Sequence, residues 1–129
     1  MLIPDYAIEA LCTGDCSIEI DGTIVNNKKR PMIEPFINTS VKVNDNDQRI
    51  PSYGLSSFGY DVRLAPEFKL FSKPNDGRII DIMNFDEREF VEEVKADSVI
   101  LPPGGLLLSR TVEYFSIPNN VMGTCSNKS

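Results

Sequence analysis

The chain has 129 residues, of which 41% are apolar and 25% are charged, so it is long enough to bury one hydrophobic core. Its net charge of −6 disfavours a protein that coats a nucleic-acid polymer, because neutralising phosphates needs a basic excess. No apolar run approaches the ~18 residues of a membrane span, and the first residues lack the pattern of a signal peptide. We therefore expect one cytoplasmic domain over residues 1–129, with no membrane partner.

The absence of histidine excludes several mechanisms. A Ser-His-Asp triad, a Cys-His pair and the zinc deaminase signature all require that residue. The three cysteines, Cys12, Cys16 and Cys125, are an odd number and predict no disulfide framework. Since a zinc site needs about four ligands, we interpret them as small buried apolar residues and expect no metal bound by the protein.

The first half of the chain predicts a short helix, one strand and long loops. Residues 4–11 have apolar positions at helical spacing, and Gly14 can end the helix. Residues 17–21 alternate polar and apolar side chains, as in a half-buried strand, and Asp21-Gly22 is a turn signal. Residues 26–54 are interpreted as long ordered loops, which usually serve a site or an interface. Their expected core anchors are Ile33, Phe36 and Ile37.

The second half predicts short strands separated by turns. Residues 75–77 and 102–105 carry the turn signals, and the acidic stretch 86–93 is expected to form a helical turn or a loop. Six or seven strands of this kind favour a sandwich or a distorted barrel. The expected strands are 60–64, 68–71, 78–82, 99–101, 106–115 and 121–125.

The most distinctive segment runs from residue 56 to residue 64. Gly59 lets the backbone turn sharply or pack closely before the alternating residues begin. Asp61 and Arg63 lie two residues apart on one strand face, so they can pair with each other or across strands. A structural ion pair is favoured over a ligand contact. The opposite face is expected to carry Tyr60, Val62 and Leu64.

The last four residues, Ser126 to Ser129, have the chemistry of a phosphate-binding loop. Hydroxyls, a lysine and free backbone N–H groups offer donors and positive charge without bulk. Taken alone, a frayed polar tail is the competing interpretation. The spacing of the glycine-rich NTPase loop is absent.

Several segments, in order, resemble the dCTP deaminases of the dUTPase-like superfamily. The resemblance implies a mainly β fold, a distorted antiparallel barrel with a short N-terminal helix, whose C-terminal strands would lie beyond this chain. It also implies a homotrimer with active sites at the subunit interfaces. The segments that carry it are residues 8–10, 33–36, 52–64, 84–88, 100–103 and 110–118.

For function, the resemblance implies hydrolysis of dCTP to dUTP and ammonia, in the synthesis of dUMP and dTMP. No cofactor takes part in that chemistry, but Mg²⁺ is expected to accompany the triphosphate. By the family motif, Lys128 would contact phosphate, and Ser129 would contact phosphate and be the catalytic serine. Asn127 replaces the family's glycine, and asparagine tolerates positive φ better than most residues.

The same resemblance puts the general-base glutamate and an assisting arginine beyond Ser129. The acids at positions 86, 87, 92 and 93 are expected to form a solvated face and not to replace that base. We therefore expect residues 1–129 alone not to deaminate dCTP, whether they are a natural short protein or a fragment. The alternatives are a dUTP diphosphatase, a bifunctional deaminase–diphosphatase, and a non-catalytic paralogue that binds nucleotide or joins trimers.

Overall fold

The computed structural model describes residues 2–71 and 81–127, and its first element is helix α1, Asp5–Cys12. This helix confirms the one that the apolar spacing predicts near the N-terminus. No helix in the described ranges is long and apolar enough to cross a membrane. The residues that α1 buries recur at helical spacing and are Ala7, Ile8, Leu11 and Cys12.

The chain forms two compact units. Unit 1 comprises Met1–Arg63 and Glu113–Ser129, and unit 2 comprises Leu64–Val112. In sequence, unit 2 is thus an insertion into unit 1. The expectation of one domain over residues 1–129 stays a prediction.

Unit 1 contains three small antiparallel sheets. Its strands are β1, Ser17–Ile20; β2, Thr23–Asn26; β3, Ile33–Glu34; β4, Ser40–Val43; β5, Arg49–Ser56; β6, Gly59–Asp61; and β10, Tyr114–Phe115. β1 and β2 form a hairpin whose turn lies at Asp21-Gly22, as predicted, and both turn residues have positive φ. The second strand, β2, is not among the predicted strands. β5 lies between β4 and β6, and β3 pairs with β10.

The core of unit 1 lies between α1 and these sheets. Leu11 is fully buried, and Val25, Ile33 and Leu55 are each less than a tenth exposed. Ile33 is thus a core anchor as predicted, and Phe36 packs against the same cluster. Hydrophobic burial therefore joins the helix to three separate strands of unit 1.

Unit 2 contains one three-stranded antiparallel sheet. Its elements are β7, Leu64–Phe71; a 3-10 helix, Ile82–Asn84; α2, Glu87–Phe90; β8, Val91–Lys95; and β9, Leu106–Thr111. β7 is the central strand, with β8 and β9 on its two sides. The rings of Phe85 and Phe90, which flank and end α2, stack with centroids 5.6 Å apart and so connect the two ends of this short helix.

The prediction of long loops over residues 26–54 is wrong in its second half, where β4 and β5 form a hairpin. The connecting turn is stabilised by Asn44, whose side-chain oxygen accepts hydrogen bonds from the backbone N–H groups of Asn46 and Gln48, each at 3.0 Å. The turn is thus held by polar side chains, and the segment lacks the apolar alternation from which a hairpin is normally predicted.

The strand predicted over residues 60–64 is also wrong in its extent. β6 ends at Asp61, because the backbone N–H of Arg63 donates to the carboxylate of Glu113 instead of to a neighbouring strand. Val62 and Leu64 are 43% and 61% exposed, so they do not extend a buried face from Tyr60.

Three further predictions need correction. Residues 99–101 form no strand, and the acidic stretch instead provides α2, a helical turn as predicted, followed by β8. The predicted strand 106–115 is divided into β9 and β10, because the chain passes from unit 2 to unit 1 at Glu113. Residues 121–125 form no strand, since Val121 N–H closes a turn onto the carbonyl of Pro118.

Two of the other strand predictions and one turn prediction are confirmed. The strands at 17–21 and 68–71 are confirmed in β1 and β7, and the turn at 102–105 is closed by Gly105 N–H on the carbonyl of Pro102. The predicted turn at 75–77 and most of the strand at 78–82 lie outside the described residues.

The fold class is mainly β with a short N-terminal helix, as predicted. Among the described residues, no sheet closes into a barrel. The strand content is consistent with the dUTPase-like fold that the resemblance implies.

Candidate functional site

The segment that precedes the predicted phosphate loop is fixed to the core of unit 1. Ser116 N–H donates to the carbonyl of Met32 at 2.9 Å, and the carbonyl of Ser116 accepts from the side-chain amide of buried Asn27 at 2.7 Å. Further along, Asn120 donates to the carbonyl of Ile24 at 3.1 Å, and Val121 packs against the core cluster. The path of the chain is therefore defined as far as residue 121.

The predicted loop begins beyond these contacts. Ser126 and Asn127 are exposed, as a loop that receives a ligand must be. Lys128 and Ser129, the two residues with predicted phosphate contacts, lie outside the described residues. Their roles stay predictions.

The hydroxyl of Tyr60 joins β6 to the turn that follows β3. It accepts a hydrogen bond from Ile37 N–H at 3.1 Å and donates to the carbonyl of Pro35 at 3.4 Å. The ring stacks on Phe36 with centroids 5.8 Å apart. Burial raises the pKa of Tyr60 above its ordinary value, so the hydroxyl remains a donor at neutral pH. Tyr60 therefore contributes a structural contact near Gly59.

Arg63 pairs with Glu113, and not with Asp61. Its Nε lies 2.7 Å from Oε1 of Glu113, while its backbone N–H donates to Oε2 at 2.9 Å. The Glu113 side chain is fully buried, and the Arg63 guanidinium lies 4.8 Å from the centre of the Tyr53 ring. Asp61 instead accepts a hydrogen bond from the Ser52 hydroxyl at 3.1 Å. These geometries describe a buried, charge-assisted structural contact.

Sequence reasoning missed Glu113 and Tyr53. Glu113 stands between Val112 and Tyr114, so it interrupts an apolar stretch, and an acid in that position is a signal of a buried partner. Tyr53 lies on the strand next to the Asp61–Arg63 segment, but one sequence gives no strand register from which to place its ring under a guanidinium.

A polar cleft of about 440 Å³ opens elsewhere in unit 1. The Lys42 ammonium and several hydroxyls could donate to a polar or anionic ligand, although the carboxylate of Asp5 opposes an anion. Ser56 and Ser57, which begin the distinctive segment 56–64, line this cleft, whereas Gly59, Tyr60, Asp61 and Arg63 do not. The lining residues are Asp5, Asn38, Thr39, Ser40, Lys42, Leu55, Ser56 and Ser57.

The acidic stretch in unit 2 is a solvated face, as predicted. Asp86, Glu87, Glu92 and Glu93 are all exposed. Asp86 caps α2 by accepting from Arg88 N–H, and Glu87 and Glu93 both pair with the ammonium of Lys69. These carboxylates therefore lack the dry surroundings of a general base.

The cysteine prediction is correct for Cys12 and Cys16, which are buried, and wrong for Cys125, which is exposed. Burial raises the pKa of the Cys12 thiol to about 11, so this group is neutral at physiological pH. Within residues 2–71 and 81–127, no three Cys, Asp or Glu side chains are grouped so that they could hold a metal ion.

Comparison with known proteins identifies the family. The sequence model of a dCTP deaminase-like domain matches residues 24–129. The chain is 47% identical over 103 residues to "dCTP deaminase" of Acinetobacter baylyi, an alignment that covers 80% of this chain and 53% of that protein. It is 50% identical over 98 residues to the proteins of the same name from Pseudomonas fluorescens and Paraburkholderia xenovorans, covering 76% of this chain and 50% and 51% of those proteins.

The chain thus spans about half the length of the curated relatives that it matches. The family match begins within β2, includes β3 to β10 and runs to residue 129, so it covers both the Arg63–Glu113 pair and the predicted phosphate loop. The resemblance stated from the sequence segments is confirmed. The chain belongs to the dCTP deaminase-like family.

Proposed function

We propose that the protein hydrolyses the 4-amino group of dCTP, forming dUTP and ammonia, and so supplies the synthesis of dUMP and dTMP. The observation that carries this proposal is the 47% identity to a dCTP deaminase over 80% of the chain. No observation in the described residues favours a dUTP diphosphatase or a non-catalytic paralogue.

Lys128 and Ser129 are assigned to the substrate in this proposal. The ammonium of Lys128 contacts the phosphates, where a charge-assisted hydrogen bond is strong. Ser129 contacts phosphate, and its hydroxyl holds the attacking water and meets the leaving amino group. The fixed path of residues 113–121 supports this assignment, because a loop can orient a ligand only if its base is held in place.

The reaction adds water to the cytosine ring and removes ammonia. A carboxylate base takes a proton from water, and the oxygen bonds to the ring carbon that carries the amino group as the double bond from that carbon to the neighbouring ring nitrogen opens and this nitrogen gains a proton. The bond to the amino group then breaks, and the new hydroxyl loses its proton to become the carbonyl of the uracil ring. The amino group leaves as ammonia after gaining a proton, so no oxidant or reductant is needed. The described acids 86, 87, 92 and 93 are exposed and are not assigned as the base.

Magnesium enters this proposal as part of the substrate. The described part of the chain groups no metal ligands, and a triphosphate can hold Mg²⁺ through its own oxygens. Assembly as a homotrimer and action in the cytoplasm complete the proposal.

Product analysis tests the activity. The polypeptide encoded by the whole open reading frame that contains residues 1–129 is offered dCTP and dUTP separately, with Mg²⁺, and nucleotides, ammonia and pyrophosphate are measured. The proposal expects equimolar dUTP and ammonia from dCTP, and no pyrophosphate. Pyrophosphate from dUTP without ammonia from dCTP would instead indicate a diphosphatase, and ammonia release accompanied by pyrophosphate a bifunctional enzyme.

A further inference from the structure

The polar cleft of about 440 Å³ lies wholly within unit 1, and backbone hydrogen bonds hold its walls. Leu55 N–H donates to the carbonyl of Ile37 at 3.0 Å, which joins β5 to the segment before β4. Asp5 N–H donates to the carbonyl of Ser57 at 3.0 Å, which joins the start of α1 to the turn between β5 and β6. Three separate segments of the chain are therefore fixed around one opening.

Most of the polar side chains that line this cleft form no hydrogen bond or ion pair with the described residues. Elsewhere in unit 1, the Ser17 hydroxyl, the Asn27 amide and the Ser52 hydroxyl all bond to neighbouring groups. The lining side chains are instead available to a ligand, as donors and acceptors on a fixed backbone. They are Asn38, Thr39, Ser40, Lys42, Ser56 and Ser57.

Two opposite charges occur in this lining, on Lys42 and Asp5. One oxygen of the Asp5 carboxylate accepts from Tyr6 N–H at 2.7 Å, and the other has no partner among the described residues. The ammonium favours a single anionic group, whereas the carboxylate disfavours a ligand with several negative charges. A carboxylate is also a good acceptor for the hydroxyls of a sugar. The lining therefore suits a ligand that carries one anionic group beside several hydroxyls.

The neutral part of the lining narrows the class of ligand further. Its four hydroxyls and the Asn38 amide can each donate and accept, as a polyol requires. None of the described lining residues is aromatic, so a nucleobase has no ring on which to stack. The volume of about 440 Å³ is in the range of small-molecule sites. A phosphorylated sugar without a base meets all of these conditions.

We propose that this cleft binds a sugar monophosphate, with the phosphate at Lys42 and the sugar hydroxyls at Asp5. The serine and threonine hydroxyls of the lining complete the contacts to both parts of the ligand. This site goes beyond the proposed function, because none of its residues is assigned to dCTP. It does not require that the protein deaminates a nucleotide.

Titration calorimetry on the polypeptide encoded by the whole open reading frame tests the proposal. The probes, each offered separately, are ribose 5-phosphate, ribose, inorganic phosphate and adenosine 5′-monophosphate. We expect ribose 5-phosphate to bind with a Kd below about 1 mM. Its affinity should exceed that of ribose or phosphate by about tenfold or more, because one molecule then engages both charged ends of the lining.

Two substitutions in the lining should change the affinity for phosphate in opposite directions. Lys42→Met removes the cation, so the affinity for ribose 5-phosphate should fall by about tenfold or more, while that for ribose stays unchanged. Asp5→Asn removes a repulsion, so the affinity for inorganic phosphate should rise about threefold, while that for ribose falls. The matched controls are Lys95→Met and Asp97→Asn, at exposed residues of unit 2, which should bind every probe as the wild type does.

Opposite shifts in the two lining variants support the proposal, because a general loss of structure would weaken binding in both. It is overturned if ribose 5-phosphate shows no saturable binding up to about 10 mM, or binds no more tightly than phosphate. Equal losses in Lys42→Met and Lys95→Met also overturn it. Tighter binding of adenosine 5′-monophosphate than of ribose 5-phosphate assigns the cleft to a nucleotide and overturns the proposed class. Ammonia release from dCTP tests the proposed function separately from all of these outcomes.

Discussion

Gly54 and Thr39 approach each other so closely that no side chain fits between them. A Cβ atom built on Gly54 would lie 2.1 Å from the carbonyl oxygen of Thr39, and the φ of Gly54 is +100°. Gly54 is in the central strand β5, where it is opposite Ser40 on one side and Asp61 on the other. The close approach thus helps to set the register of a sheet that contains part of the Gly59–Arg63 motif.

Gly54→Ala is therefore expected to be strongly destabilising. The methyl group would overlap a backbone atom, and alanine rarely adopts this φ, so the free energy of unfolding should fall by about 3 kcal/mol. The control is Gly59→Ala in the same sheet, whose Cβ would meet only the Ser56 hydroxyl at 3.7 Å. Urea denaturation of both variants measures the difference, and equal midpoints would contradict the steric account.

The buried ion pair is expected to contribute far more stability than the exposed one. Glu113→Ala leaves the Arg63 guanidinium and backbone N–H without their buried acceptor, and should lower the free energy of unfolding by about 3 kcal/mol. Glu67→Ala removes a similar contact from the surface, where water and salt screen the charges, and should have little effect. Similar losses of unfolding free energy in the two variants would show that burial does not determine how much the Arg63–Glu113 contact stabilises the protein.

Alkaline pH should destabilise the protein through Cys12. Its pKa is about 11 in the folded protein and 9.0 when unperturbed, mainly because burial disfavours the thiolate. The folded state therefore holds the proton more tightly, so this contribution is complete below pH 9 and is lost as the pH rises from 9 to 11. The loss should reach about 2 to 3 kcal/mol.

Denaturation of Cys12→Ala across that pH range isolates the effect, since Tyr60 also titrates at high pH with a pKa that burial raises. Cys12→Ala should flatten the decline between pH 9 and 11, whereas Cys125→Ala, at an exposed cysteine, should leave it unchanged. An unchanged slope in Cys12→Ala would contradict the buried-thiol explanation.

The elements that the sequence predicts well have their own local pattern. α1 follows from the spacing of Ile8 and Leu11, and β1 with the turn after it follows from the alternation of residues 17–21 and from Asp21-Gly22. The β4–β5 hairpin is not predicted, because its turn is polar and β5 contains Gly54. Glycine has a low strand propensity, although the close packing of neighbouring atoms requires it at this position.

The elements that are not predicted depend on contacts between residues far apart in the sequence. Glu92 and Glu93 conceal the strand β8, because exposed acids do not indicate a strand, whereas in the sheet Glu93 lies opposite Lys69 and pairs with it. The same limit applies to the site. Arg63 is identifiable from its motif, but its partner Glu113 is 50 residues away, and one sequence does not provide that contact.

Phosphate recognition should depend on Lys128. Lys128→Ala removes a charge-assisted donor, and the KM for dCTP should rise by about tenfold or more. The effect should shrink as salt concentration increases, because ions screen the attraction. Lys29→Ala, which removes an exposed lysine from the turn after β2, is the control and should leave KM unchanged. Equal KM values in Lys128→Ala and the wild type would remove Lys128 from the phosphate site.

The most direct test of the account is ammonia release from dCTP by Ser129→Ala, compared with Ser126→Ala and the unmodified protein, each as the polypeptide of the whole open reading frame. Ser126 is an exposed hydroxyl in the same loop, so its variant controls for the loss of a serine as such. We predict equimolar dUTP and ammonia from the unmodified protein and from Ser126→Ala, and a rate at least about 100-fold lower from Ser129→Ala, since that hydroxyl orients water and the leaving group. Deamination by Ser129→Ala at the unmodified rate, or no deamination by the unmodified protein, would contradict the account.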